Sequence, residues 1–317
     1  MGRGAKIFFI ALLAAGCVFG LISFAIVSAL RDAASPIGDR ETLREGAVTD
    51  KYAFVGGDSF NLLVINTDYR PELYSYDKAR VNAIFGDAYG EPASGGSEGA
   101  ISLLSAVLVR ADKERGQFTF TPISSKTLVN NGEKSISLAK VYETYGASEL
   151  CRHVHLLTGL TVDDYVTVIP SVAQKIADLV GGVEYSRLSS ASAQNEADVP
   201  SGKGTVNGNQ VRTLLLCDYS GSSITRERVA SELLKAFFEK LCIYEKSLVE
   251  NKLEEAVSML HTSINDSKVK KNTPLILMYG EFQKVTLELC GKYTEAGFLP
   301  DAAQTIDKFS VYRKYYG

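Results

Sequence analysis

An uninterrupted apolar run near the N-terminus, residues 7–30, constrains this chain more than any other feature of its sequence. The twenty-four residues of the run (IFFIALLAAGCVFGLISFAIVSAL) include no charge and nothing more polar than serine and cysteine. A helix of that length measures about 36 Å, against a bilayer hydrocarbon core of about 30 Å. The apolar core of a cleaved secretory signal is shorter, at about 7 to 15 residues. The run therefore predicts one N-terminal transmembrane helix.

The charges beside this run predict its orientation. Arg3, Lys6 and the N-terminal amine precede the span, whereas Arg31 is followed at once by Asp32. Positive charge concentrates at the cytoplasmic ends of membrane spans. We therefore expect residues 1–6 to form a cytoplasmic tip and the chain after Arg31 to be extracytoplasmic, as in a single-pass protein of the cell membrane.

A second interpretation of the run rests on Ala14-Ala15-Gly16-Cys17, which is similar to the site at which bacterial lipoproteins are cleaved and acylated on cysteine. Mature lipoproteins usually continue from that cysteine into polar sequence. Here thirteen more largely apolar residues follow it, so a cysteine among lipid-facing side chains is the favoured interpretation.

The remainder of the chain has the composition of a folded domain, with 45% hydrophobic and 22% charged residues in the whole sequence. The formal net charge of -3 offers no basic surface for nucleic acid, which we exclude as a partner. Cys151, Cys217, Cys242 and Cys290 form no CxxC pair and have no spacing typical of zinc sites or disulfides. They are predicted to be buried apolar residues.

Hydrophobic periodicity predicts alternating strands and helices after a polar, glycine-containing stalk over residues 31–59. Strands are predicted near 60–66, 106–110, 117–122, 165–169 and 183–185, and helices near 138–157, 172–180, 229–241, 252–260 and 275–289. This alternation indicates a layered α/β fold. We place the domain at residues 60–245 and a helical C-terminal extension, packed on the domain, at residues 246–317.

Several of these segments resemble the LytR-CpsA-Psr family of cell-envelope phosphotransferases. The stretch TVDDYVTVIPSVAQKIADLVGGVEY, residues 161–185, is similar to the family's strand, helix and Gly-Gly-Val-Glu strand. LLVINTDYRP, residues 62–71, resembles its first strand and loop, and VNGNQ, residues 206–210, is similar to its Leu-Asn-Gly-Glu-Gln helix start. The resemblance covers roughly residues 60–240.

Membership would imply an α-β-α domain with a central mixed sheet, preceded by one N-terminal transmembrane helix. Family members transfer a wall polymer from a polyprenyl pyrophosphate carrier to peptidoglycan, so those two substrates are the implied partners. The prenyl tail implies an apolar groove, for which we expect walls from residues 60–65, 172–180 and 206–216.

The resemblance also implies a set of site residues. Asp68 and Arg70 match the family's first Asp and Arg pair and are the implied catalytic residues. A pyrophosphate requires positive donors, for which Arg70, Lys126 and Arg226 are the candidates. Magnesium is the implied cofactor, with Asp68 as its ligand because this ion prefers carboxylate oxygen.

Other positions depart from the family pattern. Ser102-Leu103-Leu104 stands where the family has Arg-Ser-Asp, Ser124-Ser125-Lys126-Thr127 where it has Pro-Arg-Asp-Thr, and Leu216-Cys217-Asp218 where it has Arg-Ser-Arg. Leucine cannot coordinate a metal, and serine cannot offer a guanidinium fork. Three functions stay open: a transferase of the family type, a non-catalytic relative that binds or regulates in the envelope, and an unrelated extracytoplasmic interaction protein.

Other motifs carry little chemistry. His153 and His155 are two residues apart on a predicted helix, so they are expected to point to different faces and not to share a metal. Ser124, Ser125 and Ser223 have no neighbouring His and Asp pattern that nominates a triad. The glycine-rich residues 90–99 lack the Lys-Ser/Thr ending of a phosphate-binding loop.

Overall fold

The computed structural model describes residues 59–68, 102–130, 134–186, 203–217, 219 and 224–312. The cytoplasmic tip, the predicted transmembrane helix and all of the stalk but Ser59 lie outside these residues. Among the helices of the described residues, none is both long and apolar enough to cross a membrane.

A six-stranded mixed sheet forms the centre of the fold. Its strands are β1 (Ser59–Asp68), β2 (Ser102–Asp112), β3 (Gln117–Ser124), β6 (Asp164–Val168), β9 (His261–Thr262) and β10 (Gln283–Thr286). Their order across the sheet is β10-β3-β2-β1-β6-β9. β1 pairs antiparallel with β2 and parallel with β6, and β3 pairs antiparallel with β2 and parallel with β10. The strands β1, β3 and β6 therefore all end at one edge of the sheet, which we call the carboxyl edge.

Three hairpins and seven helices complete the described residues. The hairpins are β4–β5 (Leu128–Asn130 and Ser135–Ser137), β7–β8 (Val183–Ser186 and Lys203–Val206) and β11–β12 (Gly291–Thr294 and Gly297–Pro300). The helices are α1 (Leu138–Thr158), α2 (Pro170–Leu179), α3 (Gly208–Leu216), α4 (Arg226–Leu241), α5 (Lys246–Ser258), α6 (Asp266–Leu277) and α7 (Ala302–Phe309). These bounds confirm the predicted α/β fold with a central mixed sheet.

Alternation along β1 supplies apolar side chains to both faces of the sheet, because successive side chains in a strand point to opposite sides. Leu62 and Val64 face α4 and its neighbours, in a cluster that includes Phe118 and Phe120 of β3. Leu63 and Ile65, which are fully buried, point to the opposite face. A strand covered on both faces has a nearly continuous apolar sequence, as residues 60–65 do.

Two glycines explain motifs on which the family resemblance rests. Asn207 caps the N-terminus of α3, and its side chain and that of Gln210 form reciprocal bonds to the backbone. A Cβ at Gly208 would lie 2.3 Å from the Gln174 carbonyl oxygen, so only glycine permits this contact with α2. Gly182 has a φ of +80°, which favours glycine, where the chain turns into β7.

The helix predicted over residues 275–289 is wrong in its second half. α6 ends at Leu277, and residues 283–286 form the edge strand β10 beside β3. Val285 and Thr286 are β-branched and fit a strand, but an apolar stripe over so short a span cannot distinguish the two structures. The C-terminal extension thus supplies strands to the central sheet as well as helices.

Candidate functional site

The carboxyl edge carries those candidate site residues that the structure describes. Asp68 is the last residue of β1, where it lies opposite Ser102 in the register with β2. Arg70 and Asp218 lie outside the described residues. Ser124 ends β3 opposite Ser105, three residues beyond Ser102 along β2, so Asp68 and Ser124 are separated by two strand spacings and by three residues along the strands, about 14 Å in all.

The turn after β3 holds Lys126 at the same edge. The Thr127 amide donates to the Ser124 carbonyl at 3.0 Å, which closes the turn, and the Lys126 side chain is exposed. Lys126 can therefore reach a ligand from solvent as a mobile point charge. Leu103, at the start of β2, is 2% exposed and belongs to the core.

Arg226, the first residue of α4, also lies near this edge. One of its terminal nitrogens donates to the Cys217 carbonyl oxygen at 2.9 Å, just beyond the end of α3. Its Nε is buried and has no hydrogen-bond partner among the described residues. Arg226 therefore joins α3 to α4, and one of its donors is already committed to the protein.

Tyr293 is a residue of the carboxyl edge that the sequence did not reveal. Its hydroxyl donates to Glu227 Oε1 at 3.3 Å and also interacts with the Ser124 side chain. Burial raises the pKa of Tyr293, and the neighbouring Glu227 carboxylate raises it further, so the hydroxyl keeps its proton at neutral pH. Tyr293 belongs to β11. Its contact with Ser124 of β3 depends on the tertiary structure, which the local sequence does not reveal.

An apolar cavity of about 200 Å³ lies between the sheet and its helices. One wall consists of Phe60, Leu62, Val64 and Asn66 of β1, and the opposite wall includes Ala177 and Val211 of α2 and α3. These are the walls that the sequence predicted. From Phe60 to Asn66 the strand rises about 20 Å, so the lining of the cavity along β1 ends two residues before Asp68.

Further walls of the cavity come from α4, α5 and α6, which the sequence did not predict. The residues concerned are Ala230, Leu233, Leu234, Phe237 and Phe238 of α4, Leu253, Ala256 and Val257 of α5, and Lys268, Val269, Asn272 and Ile276 of α6. The polar members of the lining are Asn66, Lys268 and Asn272. Asn66 donates to the Ser105 hydroxyl at 3.1 Å, and Lys268 forms an ion pair with Asp164. The remaining lining is apolar and suits hydrocarbon.

The described residues do not fit a magnesium site. Among them, no group of three or more histidine, cysteine, aspartate and glutamate side chains lies close enough together to hold a metal. Asp68 is the one predicted metal ligand, and Leu104 stands where the family has a second aspartate. We therefore assign no chemical step to a metal.

The two histidines of α1 have separate environments, as their spacing predicts. His153 is 2% exposed, and its Nε2 lies 3.4 Å from Glu149 Oε1 and 3.3 Å from an Arg152 nitrogen. Burial lowers the pKa of His153, and Arg152 lowers it further. His153 is therefore a neutral packing residue at neutral pH.

The fold and the cavity together define a class of protein: an α/β domain with an apolar cavity between its central sheet and the helices on one face. The model of the LytR-CpsA-Psr family matches residues 56–278, and the chain belongs to this family. A search of curated proteins found no match.

Solved structures with the same fold include three bacterial proteins of low sequence identity. B. subtilis TagV is 16% identical, with a TM-score of 0.58 over 81% of this chain and 96% of TagV. Lin1025 from Listeria innocua is 14% identical, with a TM-score of 0.56 over 80% of this chain and 97% of its own. TagT, also a B. subtilis protein, was solved with bound octaprenyl pyrophosphate lipid; it is 14% identical, with a TM-score of 0.56 over 81% of this chain and 90% of TagT. At these identities the likeness shows the fold.

Proposed function

We propose that this protein is a membrane-anchored envelope protein that binds a polyprenyl pyrophosphate-linked wall polymer and transfers the polymer to peptidoglycan. The apolar cavity carries this proposal, because it lies along β1 and its lining extends to Asn66, two residues before Asp68. Family membership and the octaprenyl pyrophosphate bound to TagT support a lipid-linked ligand.

In this proposal the prenyl chain lies in the cavity and the pyrophosphate lies at the carboxyl edge. Lys126, Arg226 and Arg70 donate to the phosphate oxygens. A hydroxyl of peptidoglycan attacks the phosphorus that carries the polymer, a new P–O bond forms, and the P–O bond to the prenyl phosphate breaks. Asp68 accepts the proton of the attacking hydroxyl, and the prenyl phosphate leaves with the bonding electron pair.

A second candidate function is binding without transfer, as a regulatory or carrier protein of the envelope. One observation favours it: in the described residues, Arg226 is the one arginine that stands at a family site position, and it is bonded to the Cys217 carbonyl. A pyrophosphate held by few donors is less well stabilised during transfer than one held by several guanidinium groups.

Binding and transfer can be measured separately with the full-length protein in lipid nanodiscs. Binding is followed by titration with octaprenyl pyrophosphate, and transfer by incubation with a prenyl pyrophosphate-linked glycan, magnesium and peptidoglycan. We expect binding and transfer. Binding without transfer would establish the second candidate, and absence of binding would reject both.

The proposed topology has its own test in intact cells. With residues 1–6 in the cytoplasm, protease added outside should digest the domain of the intact cell. Digestion only after lysis would reverse the proposed orientation.

A further inference from the structure

Tyr293 presents an exposed aromatic ring at the carboxyl edge, in a fixed orientation. The residue is 62% exposed, although its hydroxyl is bonded to Glu227. Its ring packs against Phe298 of β12, with centroids 5.1 Å apart and an interplanar angle of 60°. The ring therefore offers a face to solvent while its position is held from both ends.

The hairpin that carries Tyr293 is attached to the turn after β3. The Phe298 amide donates to the Lys126 carbonyl at 3.0 Å, and Thr127 and Phe298 form a parallel bridge. A Cβ at Gly297 would lie 2.3 Å from that same carbonyl oxygen, which shows how closely the two backbones approach. Residues 291–300 lie beyond the family match, which ends at residue 278.

Glu227 is a buried carboxylate without a cation. The residue is 9% exposed, and among the described residues its one hydrogen bond is from Tyr293 and it forms no ion pair. Its place in the first turn of α4 is favourable for an acidic side chain, because the N-terminus of a helix carries a partial positive charge. A carboxylate can accept about four hydrogen bonds, so most of its capacity is unused.

An aromatic face beside a carboxylate and a serine hydroxyl matches the surface of a sugar. The C–H groups of a pyranose face are apolar with a weak positive charge, and they pack on the negative face of an aromatic ring. Sugar hydroxyls donate to a carboxylate and exchange hydrogen bonds with serine. A phosphate group at the same place would be repelled by Glu227.

We infer that Tyr293, Glu227 and Ser124 form a subsite for an uncharged, hydroxyl-rich sugar unit. The inference rests on the proposed function, since the sugar would belong to the lipid-linked glycan. It deepens that function because it assigns the chain a glycan with few phosphates near the reacting end.

The test uses the full-length protein in detergent and three uncharged probes: chitotetraose, cellotetraose and maltotetraose. An oligomer of glycerol phosphate serves as the anionic comparison. We expect at least one uncharged probe to bind more tightly than the anionic oligomer. Tyr293→Ala should weaken that binding by about tenfold or more, and Glu227→Gln and Tyr293→Phe by about three- to tenfold, because each removes a hydrogen bond.

Tyr145→Ala is the matched control, because Tyr145 is a 52% exposed tyrosine on α1, away from β11–β12. This variant should bind sugar as the wild type does. The inference is overturned if no uncharged probe binds, if the anionic oligomer binds more tightly than all three, or if Tyr293→Ala and Glu227→Gln bind as the wild type does. Thermal unfolding of each variant shows whether a loss of binding comes from misfolding. If Tyr293→Ala does not fold, Tyr293→Phe and Glu227→Gln, which keep the size of the side chain, decide the test.

A parallel titration with octaprenyl pyrophosphate separates this inference from the proposed function. Lipid binding without sugar binding rejects the subsite alone. Sugar binding that depends on Tyr293, without lipid binding, supports the subsite and rejects the lipid-linked substrate.

Discussion

Arg226 shows how a residue can keep its family position while its surroundings limit its role. The guanidinium lies at the start of α4, but one terminal nitrogen is bonded to the Cys217 carbonyl. A ligand would have to bind the remaining donors, including the buried Nε. Arg226 therefore positions α3 against α4, and only its remaining donors are available for the phosphate binding that we propose.

Arg70 is predicted to contribute most to the binding of prenyl pyrophosphate. It keeps both residue type and spacing beside Asp68, and charged hydrogen bonds contribute about 1.5 to 3 kcal/mol each. Arg70→Ala should weaken binding by roughly ten- to a hundredfold in a titration with octaprenyl pyrophosphate. Lys126→Ala should have a smaller effect, because an exposed ammonium group gains little from its contacts.

Arg228→Ala is the control for both variants, since Arg228 is an exposed arginine whose partner is Glu288, 3.9 Å away. It should bind the lipid as the wild type does. If Arg70→Ala also binds as tightly as the wild type, Arg70 has no part in the site.

His153 is predicted to make the domain less stable in mild acid. Its pKa is lower in the folded protein than in the unfolded chain, where it is about 6.5. Between those two values the unfolded chain binds more protons, so the free energy of unfolding falls as the pH falls through this range. Urea unfolding at pH 7.5 and pH 5.5 should show a larger loss for the wild type than for His153→Gln. Equal losses in the two proteins would contradict a buried neutral histidine.

At the scale of elements, the position of the cavity predicts different effects for the same substitution at two buried alanines of α4. Ala230 lines the cavity and Ala236 lies in the packed core, at 2% and 5% exposure. Ala230→Leu should fill part of the cavity and leave the free energy of unfolding nearly unchanged. Ala236→Leu should lower it by about 1 to 3 kcal/mol, because the added methylene groups have no space.

The same pair of variants tests the lipid site. Ala230→Leu should weaken binding of octaprenyl pyrophosphate, whereas folded Ala236→Leu should bind it as the wild type does. If Ala230→Leu lowers stability as much as Ala236→Leu, the space beside Ala230 is not available to a prenyl chain.

The sequence predicted best those elements whose structure is determined by residues that are close together in the chain. The capped start of α3 at Asn207 and the turn at Gly182 depend on neighbours in sequence and on the fit of a glycine, so their motifs identify the fold. Tyr293 could not be predicted as a site residue, because it reaches Glu227 across 66 positions of sequence. The motifs that reveal the family are thus mostly structural, whereas the chemistry at the carboxyl edge depends on long-range contacts.

At the scale of the whole molecule, Tyr312 fixes the end of the described chain to the central sheet. Its ring lies 5.5 Å from the Arg110 guanidinium and 5.4 Å from that of Arg115, and its hydroxyl donates to Gln117 Oε1 at 3.0 Å. Tyr312→Ala should lower the free energy of unfolding by about 3 kcal/mol, as measured by urea titration.

Two further variants show whether this effect comes from the ring. Tyr312→Phe keeps the contacts with both guanidinium groups and should lower the stability by about 1 kcal/mol. Val311→Ala is a control at the adjacent residue, which is 53% exposed, and should change the stability little. A Tyr312→Ala protein as stable as the wild type would show that the C-terminal residues do not support the sheet.

The place of β1 in the sheet has a mechanical consequence. β1 is the first strand of the described residues, and it pairs with β2 from Ser59 to Asp68 and with β6 from Leu62 to Asn66. If the N-terminal segment anchors the protein to a bilayer, as we propose, tension on that segment would act along this strand. The hydrogen bonds of both neighbouring strands lie across that direction, so they would be sheared together rather than opened one after another.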